Sequence, residues 1–181
     1  MKTAIIGIGN ILFKDEGLGV YAAKYLAANY RFDENVEIID GGTLGFKLMR
    51  YYQEFDKVLI FDTLSIEDAP GSVYNIPSDV LLGLGAYRKT AHEVEVVEML
   101  EICSLLEKIA KTNIVGMVPE DIESVEIDLS QSVREHFPTL ITSALEELQK
   151  DGIEYQSTPT QSLDEIIFQY QNPTMADATT L

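Results

Sequence analysis

The chain has 181 residues, and 13 Lys+Arg against 30 Asp+Glu give it a net charge of −17 with His neutral. That length fits one domain large enough to bury its own core, and 46% hydrophobic with 24% charged residues is a globular composition rather than a disordered one. The acidity argues against a nucleic-acid partner and against an anionic membrane surface, since phosphate binding needs a positive field.

The opening Met1-Lys2-Thr3 is followed by only Ala4-Ile5-Ile6 before Gly7, and the acids Asp15 and Glu16 come soon after. This is too short and too soon acidic for a signal peptide, and no run approaches the roughly 20 apolar residues of a membrane span. A soluble, cytoplasmic protein is expected. Ala4 to Ile8 predicts a buried strand entering a tight turn at Gly7-Ile8-Gly9-Asn10. Leu18, Tyr21, Ala22, Tyr25 and Leu26 then recur at amphipathic-helix spacing. Val36 to Asp40, closed by Gly41-Gly42, predicts a second strand, followed by a helix through Phe46, Leu48, Met49 and Tyr52. Lys57 to Asp62 is a third strand, continuously apolar before its acid, as in a strand covered on both faces.

Residues 65–91 are looser. Pro70-Gly71 marks a turn, Ser72 to Ile76 a short extra strand, and Gly83 to Lys89 a mobile loop. A long helix is expected over Val94 to Ile109, with Cys103 on its apolar face as an inert core residue. As the single cysteine it allows neither an internal disulfide nor a thiolate zinc cluster. Asn113 to Val118 predicts a further strand and Val125-Glu126-Ile127 another. Ser132 to Gln149 predicts the last long helix, with a capping box of Ser132 and Glu135 and a structural His136. Strands alternating with helices indicate a three-layer α/β/α sandwich around a mostly parallel, twisted sheet, as one domain over residues 1–151. Residues 152–181 hold no Lys or Arg and are expected as a tail. Ser162 and Glu165 could cap one short docking helix there.

In a mostly parallel sheet, residues just past the carboxyl ends of the strands gather along one edge. The first strand delivers Asn10 and Glu16 to that edge, the second Asp40 and the third Asp62. His92, opening the long helix, can reach it too. Each has an ordinary explanation: Glu16 as a favourable acid near a helix start, Asp40 as a turn former, Asp62 as a cap for a backbone amide, His92 as an N-cap. Taken together, carboxylates and one imidazole suit a divalent ion such as nickel, zinc or manganese. Three protein ligands leave positions open for substrate or water. Gly7-x-Gly9-x-x-Leu12 lacks the third glycine of a dinucleotide fingerprint, and no G-x-S-x-G elbow, P-loop or H-E-x-x-H occurs. Glu93 to Asp128 holds ten acids and two lysines, giving 2 − 10 = −8, a solvated face or an attraction for a basic substrate segment.

The string from Gly7 to Gly19, G-I-G-N-I-L-F-K-D-E-G-L-G, resembles the opening motif of the nickel–iron hydrogenase maturation endopeptidases. Asp40-Gly41-Gly42-Thr43, Phe61-Asp62, Thr90-Ala91-His92 and Gly116 to Glu120 resemble later blocks of that family, in the same order. The resemblance implies a monomeric or weakly associating cytoplasmic enzyme that removes a C-terminal extension from the hydrogenase large-subunit precursor after nickel insertion. It implies that Glu16, Asp62 and His92 contact metal. The nickel is that of the precursor, with other divalent metals able to substitute. It also implies that Asp40, with Glu16 and Asp62, serves catalysis in an aspartyl-type peptidase. A metal-binding chaperone that docks on a hydrogenase subunit without cutting it is the alternative.

Overall fold

All six residues of Thr3–Ile8 (β1) are buried, so this strand is covered on both faces, as its unbroken apolar run requires. The computed structural model describes residues 1–83 and 110–173. β1 leads through a short 3₁₀ turn, Lys14–Gly17, into helix α1 (Leu18–Asn29). Next come β2 (Tyr30–Phe32), β3 (Val36–Gly42), α2 (Met49–Glu54), β4 (Lys57–Thr63), β5 (Val73–Pro77) and α3 (Ser78–Gly83). The chain resumes with β6 (Lys111–Met117), α4 (Gln131–Lys150), β7 (Tyr155–Ser157) and α5 (Leu163–Gln171). The five-stranded sheet has the order β3-β1-β4-β6-β5, and only the edge strand β5 runs antiparallel.

Side chains alternate across the sheet and build two cores. Ile5, Leu59, Phe61, Val115 and Met117 pack under α1, α4 and α5, against Leu18, Tyr21, Phe137, Leu140 and Ile166. Ala4, Ile6, Val58, Ile60 and Ile114 pack on the opposite face against Leu48, Tyr52 and Phe55. This is the three-layer α/β/α arrangement expected from the sequence. The long helix over Val94 to Ile109, Cys103 and most of the loop from Gly83 to Lys89 lie outside the described residues.

Three local expectations are corrected. The last long helix begins one residue earlier than predicted, after Ser130, and Ser132 and Glu135 form no capping box. Ser132 Oγ donates to Glu120, while Glu135 accepts from Gln131 at 2.7 Å. The hydroxyl of Ser130 is drawn away from its own helix by the buried Asp15. Val125 to Ile127 forms no strand of its own. It makes a single parallel bridge, Glu126 to Phe13, that pins the turn after β1.

The segment after Gly152 is folded on the body. β7 pairs antiparallel with β2, and Ile153, Ile166 and Ile167 are buried in the core beneath α1. Asn29, 3% exposed at the end of α1, accepts the amides of Thr160 and Gln161 and donates to the Gln161 carbonyl. The capping box of Ser162 and Glu165 is present and starts α5. Arg134 of α4 then bridges Asp128 and Asp164, fixing the first turn of α5.

Candidate active site

The edge at the carboxyl ends of β3, β1 and β4 is shaped first by glycine. A Cβ on Gly19 would lie 2.2 Å from the Ile8 carbonyl oxygen and 2.3 Å from that of Phe61, so α1 begins sunk between two strand ends. Gly9 has φ +144°, and a Cβ there would lie 1.8 Å from the Glu16 carbonyl oxygen. The 3₁₀ turn is thereby folded back onto the end of β1, and half-buried Glu16 is held over that strand. Asn10 tightens the same loop by accepting the Leu12 amide at 3.1 Å, an Asx turn.

Asp62 is 1% exposed, next to last in β4, and its Oδ1 accepts the Thr63 amide at 2.8 Å. The amide-capping explanation thus accounts for one of its oxygens. Register decides which way each acid points. Asp40, Gly7 and Phe61 share one row of the sheet, so Asp40 faces the side of Phe61, towards α1 and α5. Asp62 follows Phe61 and points to the other side, that of α2. Two strand spacings, roughly 10 Å, separate the rows' Cα positions on β3 and β4. The two acids therefore stand on either side of the β1 edge rather than in one cluster.

Asp40 lies in a cleft of about 1010 Å³, whose walls include Ile11, Leu12, Val20, Lys24, Ile127 and Tyr170. Asp40 is exposed as a residue, and its carboxyl is partly buried where it lines the cleft. Burial raises it above the ordinary carboxylate range, while the Tyr170 hydroxyl, the Gly42 amide and the Lys24 charge only partly restrain the rise. Tyr170 Oη donates to Asp40 Oδ2 at 3.3 Å, and its ring meets Tyr21 edge-on at 5.4 Å.

Glu16, Asp62 and Asp40 thus occupy the expected edge. His92, and the neighbouring Glu93, lie outside the described residues, and among the described residues no group of three His, Cys, Asp or Glu is placed to hold a metal. The carboxylates of Glu16 and Asp62 are suitable oxygen donors for a divalent ion that has a third ligand from elsewhere. His136 is structural, its Nδ1 lying 2.8 Å from the Ser132 carbonyl oxygen beside Gly71. The acids expected as a solvated or attracting face are, over 120–128, used locally. The Ser124 hydroxyl, together with the amides of Ser124 and Glu123, holds Asp121 down to about 2, and Asp128 pairs with Arg134. Sequence reading missed two residues that shape the edge. Asp15 had no sequence signal. Tyr170 had one, the helical spacing from Ile166 and Ile167 after a capping box.

Comparison with known proteins agrees with this fold. The model of the family described as HycI, hydrogenase maturation protease, matches residues 20–147. The hydrogenase expression/formation protein HoxM of Azotobacter vinelandii is 32% identical over 82% of this chain and 73% of its own. The hydrogenase 2 maturation protease of Escherichia coli K12 is 28% identical over 85% of this chain and 94% of its own. The solved structure of the hydrogenase maturating endopeptidase HybD from E. coli superposes with a TM-score of 0.81, at 28% identity, over 87% of this chain and 98% of that one. Among the described residues no helix is long and apolar enough to cross a membrane. The chain belongs to the hydrogenase maturation protease family and is a peptidase.

Proposed function

We propose that this peptidase removes the C-terminal extension of a nickel–iron hydrogenase large-subunit precursor after nickel has been inserted. The observation that carries this reading is the placement of the acids at the sheet edge. A nearly fully buried carboxylate, Asp62, faces one side of the sheet, Glu16 stands in the turn after β1, and Asp40, exposed as a residue but with its carboxyl raised by partial burial, lines a cleft on the other side. Glu16, Asp62 and His92 engage the nickel carried by the precursor. The metal is part of the substrate, and its capture places the polypeptide over the edge. Asp40 is the general base: it takes a proton from water as the oxygen attacks the scissile carbonyl, and returns it to the departing amine. A carboxyl raised by burial is better matched to that task near neutral pH than an ordinary one. Monomeric, cytoplasmic action on a folded precursor is part of the same proposal.

The test is the intact mass of the large subunit from cells with and without this chain. Accumulation of a heavier form in its absence, trimmed by substoichiometric purified protein, is the expected result. Trimming should be lost in Glu16→Gln, Asp62→Asn, His92→Ala and Asp40→Asn, each with an unchanged circular dichroism spectrum. A need for one copy per precursor, or full activity in all four variants, would replace this reading with that of a docking chaperone or a different site.

A further inference from the structure

The proposed base does not stand alone in its cleft. Its hydrogen-bond partner comes from α5, which lies beyond the residues matched by the family model. We propose that Tyr170 is a positioning residue for Asp40, so that the C-terminal helix is part of the catalytic apparatus rather than a covering; this rests on the base role given to Asp40 above.

The geometry supports the pairing from both ends. The Tyr170 ring is fixed by its edge-on contact with Tyr21, which is itself fully buried in α1. The backbone of α5 is fixed two turns earlier by the capping box at Ser162 and by burial of Ile166 and Ile167. The hydroxyl is thus presented from a rigid platform. Burial and the nearby Asp40 charge push the Tyr170 phenol up, so it stays protonated and keeps its donor. The carboxylate of Asp40 is thus held at Oδ2 by the phenol and steadied by the Gly42 amide, with its remaining lone pairs turned to the cleft. The other groups facing the pair are Lys24 from α1 and the Gly42 amide, with Tyr21 beside the phenol and Asp128 and Arg134 acting on Tyr21 in turn. Lys24 acts on Asp40 by charge, so among the described residues removing the phenol's hydroxyl leaves the Gly42 amide as the hydrogen-bond donor.

Tyr170→Phe keeps the ring and its stacking while deleting the hydroxyl. In the full-length protein it should move the titration midpoint of the Asp40 carboxyl, followed by its side-chain ¹³C resonance, upward by about one pH unit. With the hydrogenase large-subunit precursor as substrate, kcat should fall on the order of tenfold with KM unchanged, and the acidic limb of the pH profile should move upward with the midpoint. An unchanged midpoint and profile overturns the proposal. So does an equal loss of rate in Tyr170→Phe and Tyr170→Leu without a change of midpoint, because that is the mark of packing alone. Asp40→Asn separates the two layers. If it cleaves normally, the base role fails and the catalytic part of the inference with it. If it is inactive while Tyr170→Phe behaves as wild type, only the positioning role fails.

Discussion

Asp15 and Ser130, 115 residues apart, are joined by two hydrogen bonds: the Ser130 amide meets Asp15 Oδ1 at 2.7 Å and its hydroxyl meets Oδ2 at 2.8 Å. The same Oδ2 also accepts the amides of Glu120 and Asp121, at 2.9 and 2.8 Å. A carboxylate with no solvent exposure therefore gathers the end of the β6 loop and the start of α4 onto the turn that carries Glu16. Its neighbour Glu16 is the residue proposed to meet substrate, while Asp15 itself is spent on the fold.

Asp15→Ala should strand the buried amide and hydroxyl of Ser130 and two part-buried amides, and cost about 3–5 kcal/mol in urea denaturation. Ser130→Ala, which removes one bond of the set, should cost about 1 kcal/mol. Cleavage should fall more in Asp15→Ala than its loss of folded fraction explains, because Glu16 moves with the turn. A loss below about 1 kcal/mol in Asp15→Ala would show that water replaces the carboxylate.

Gly19→Ala and Gly152→Ala make a contrasting pair. At Gly19 the new methyl meets two carbonyl oxygens of the sheet edge, neither of which is the end of a flexible side chain. A loss of about 3 kcal/mol or more is expected, with loss of cleavage. At Gly152, φ is +76° with nothing within 4 Å, so only backbone strain of about 1 kcal/mol should register. Thermal melts of both variants check the order.

Acid sensitivity should trace to the far end of the sheet. Lys57, fully buried at the start of β4, meets Glu147 at 3.0 Å and Asp151, while Asn75 donates to Glu147 at 2.7 Å and Lys111 to Asp151 at 2.7 Å. Burial alone raises both carboxyls, but the bonds from Lys57, Asn75 and Lys111 outweigh it, and both lie below their ordinary range. Carboxyls depressed on folding contribute stability above their unfolded value, and that stability is lost as pH falls through the folded one. The urea midpoint should hold from pH 7 to about 5 and fall below about 4. Lys57→Met should cost about 3–5 kcal/mol at pH 7, by leaving two carboxylates without their buried cation, and less at pH 3.5.

Ser162→Ala should remove the hydroxyl half of the box that starts α5, in which Ser162 Oγ accepts the Glu165 amide and donates to its carboxylate, and should leave the bond from the Ser162 amide to Glu165 in place. A cost of about 1 kcal/mol is expected, seen as faster amide exchange confined to residues 163–171. Protection unchanged there would mean that burial of Ile166 and Ile167 alone holds the helix.

The strands were the most legible part of this chain. Runs such as Ile5-Ile6 and Val58 to Phe61 are apolar without a break because both faces of β1 and β4 are covered, and that pattern is local. The acids of the edge were legible too, since Asp40 and Asp62 close their strands and Glu16 follows the first turn. Which face each acid serves was not legible: it depends on the row that joins Asp40, Gly7 and Phe61 across three strands. The bond of Asp15 to Ser130 and that of Tyr170 to Asp40 were invisible for a related reason. Each spans more than a hundred residues and leaves no periodic trace. Even the displaced cap at Ser130 follows from this, because a distant carboxylate competed for a hydroxyl whose local sequence offered only its own helix.

The pairing of β7 with β2 has a mechanical outcome. β2 continues directly from α1, and Asn29 at that junction clamps the strand leading into α5. The last helix is therefore carried by the first, and the floor and one wall of the cleft form a single stiff body. Swinging that wall outward would require breaking the main-chain pairing and withdrawing Ile166 and Ile167 from the core. Under the proposed function, this wall should stand in the same place before and after a polypeptide enters. The enzyme would then lose little conformational freedom in receiving its substrate.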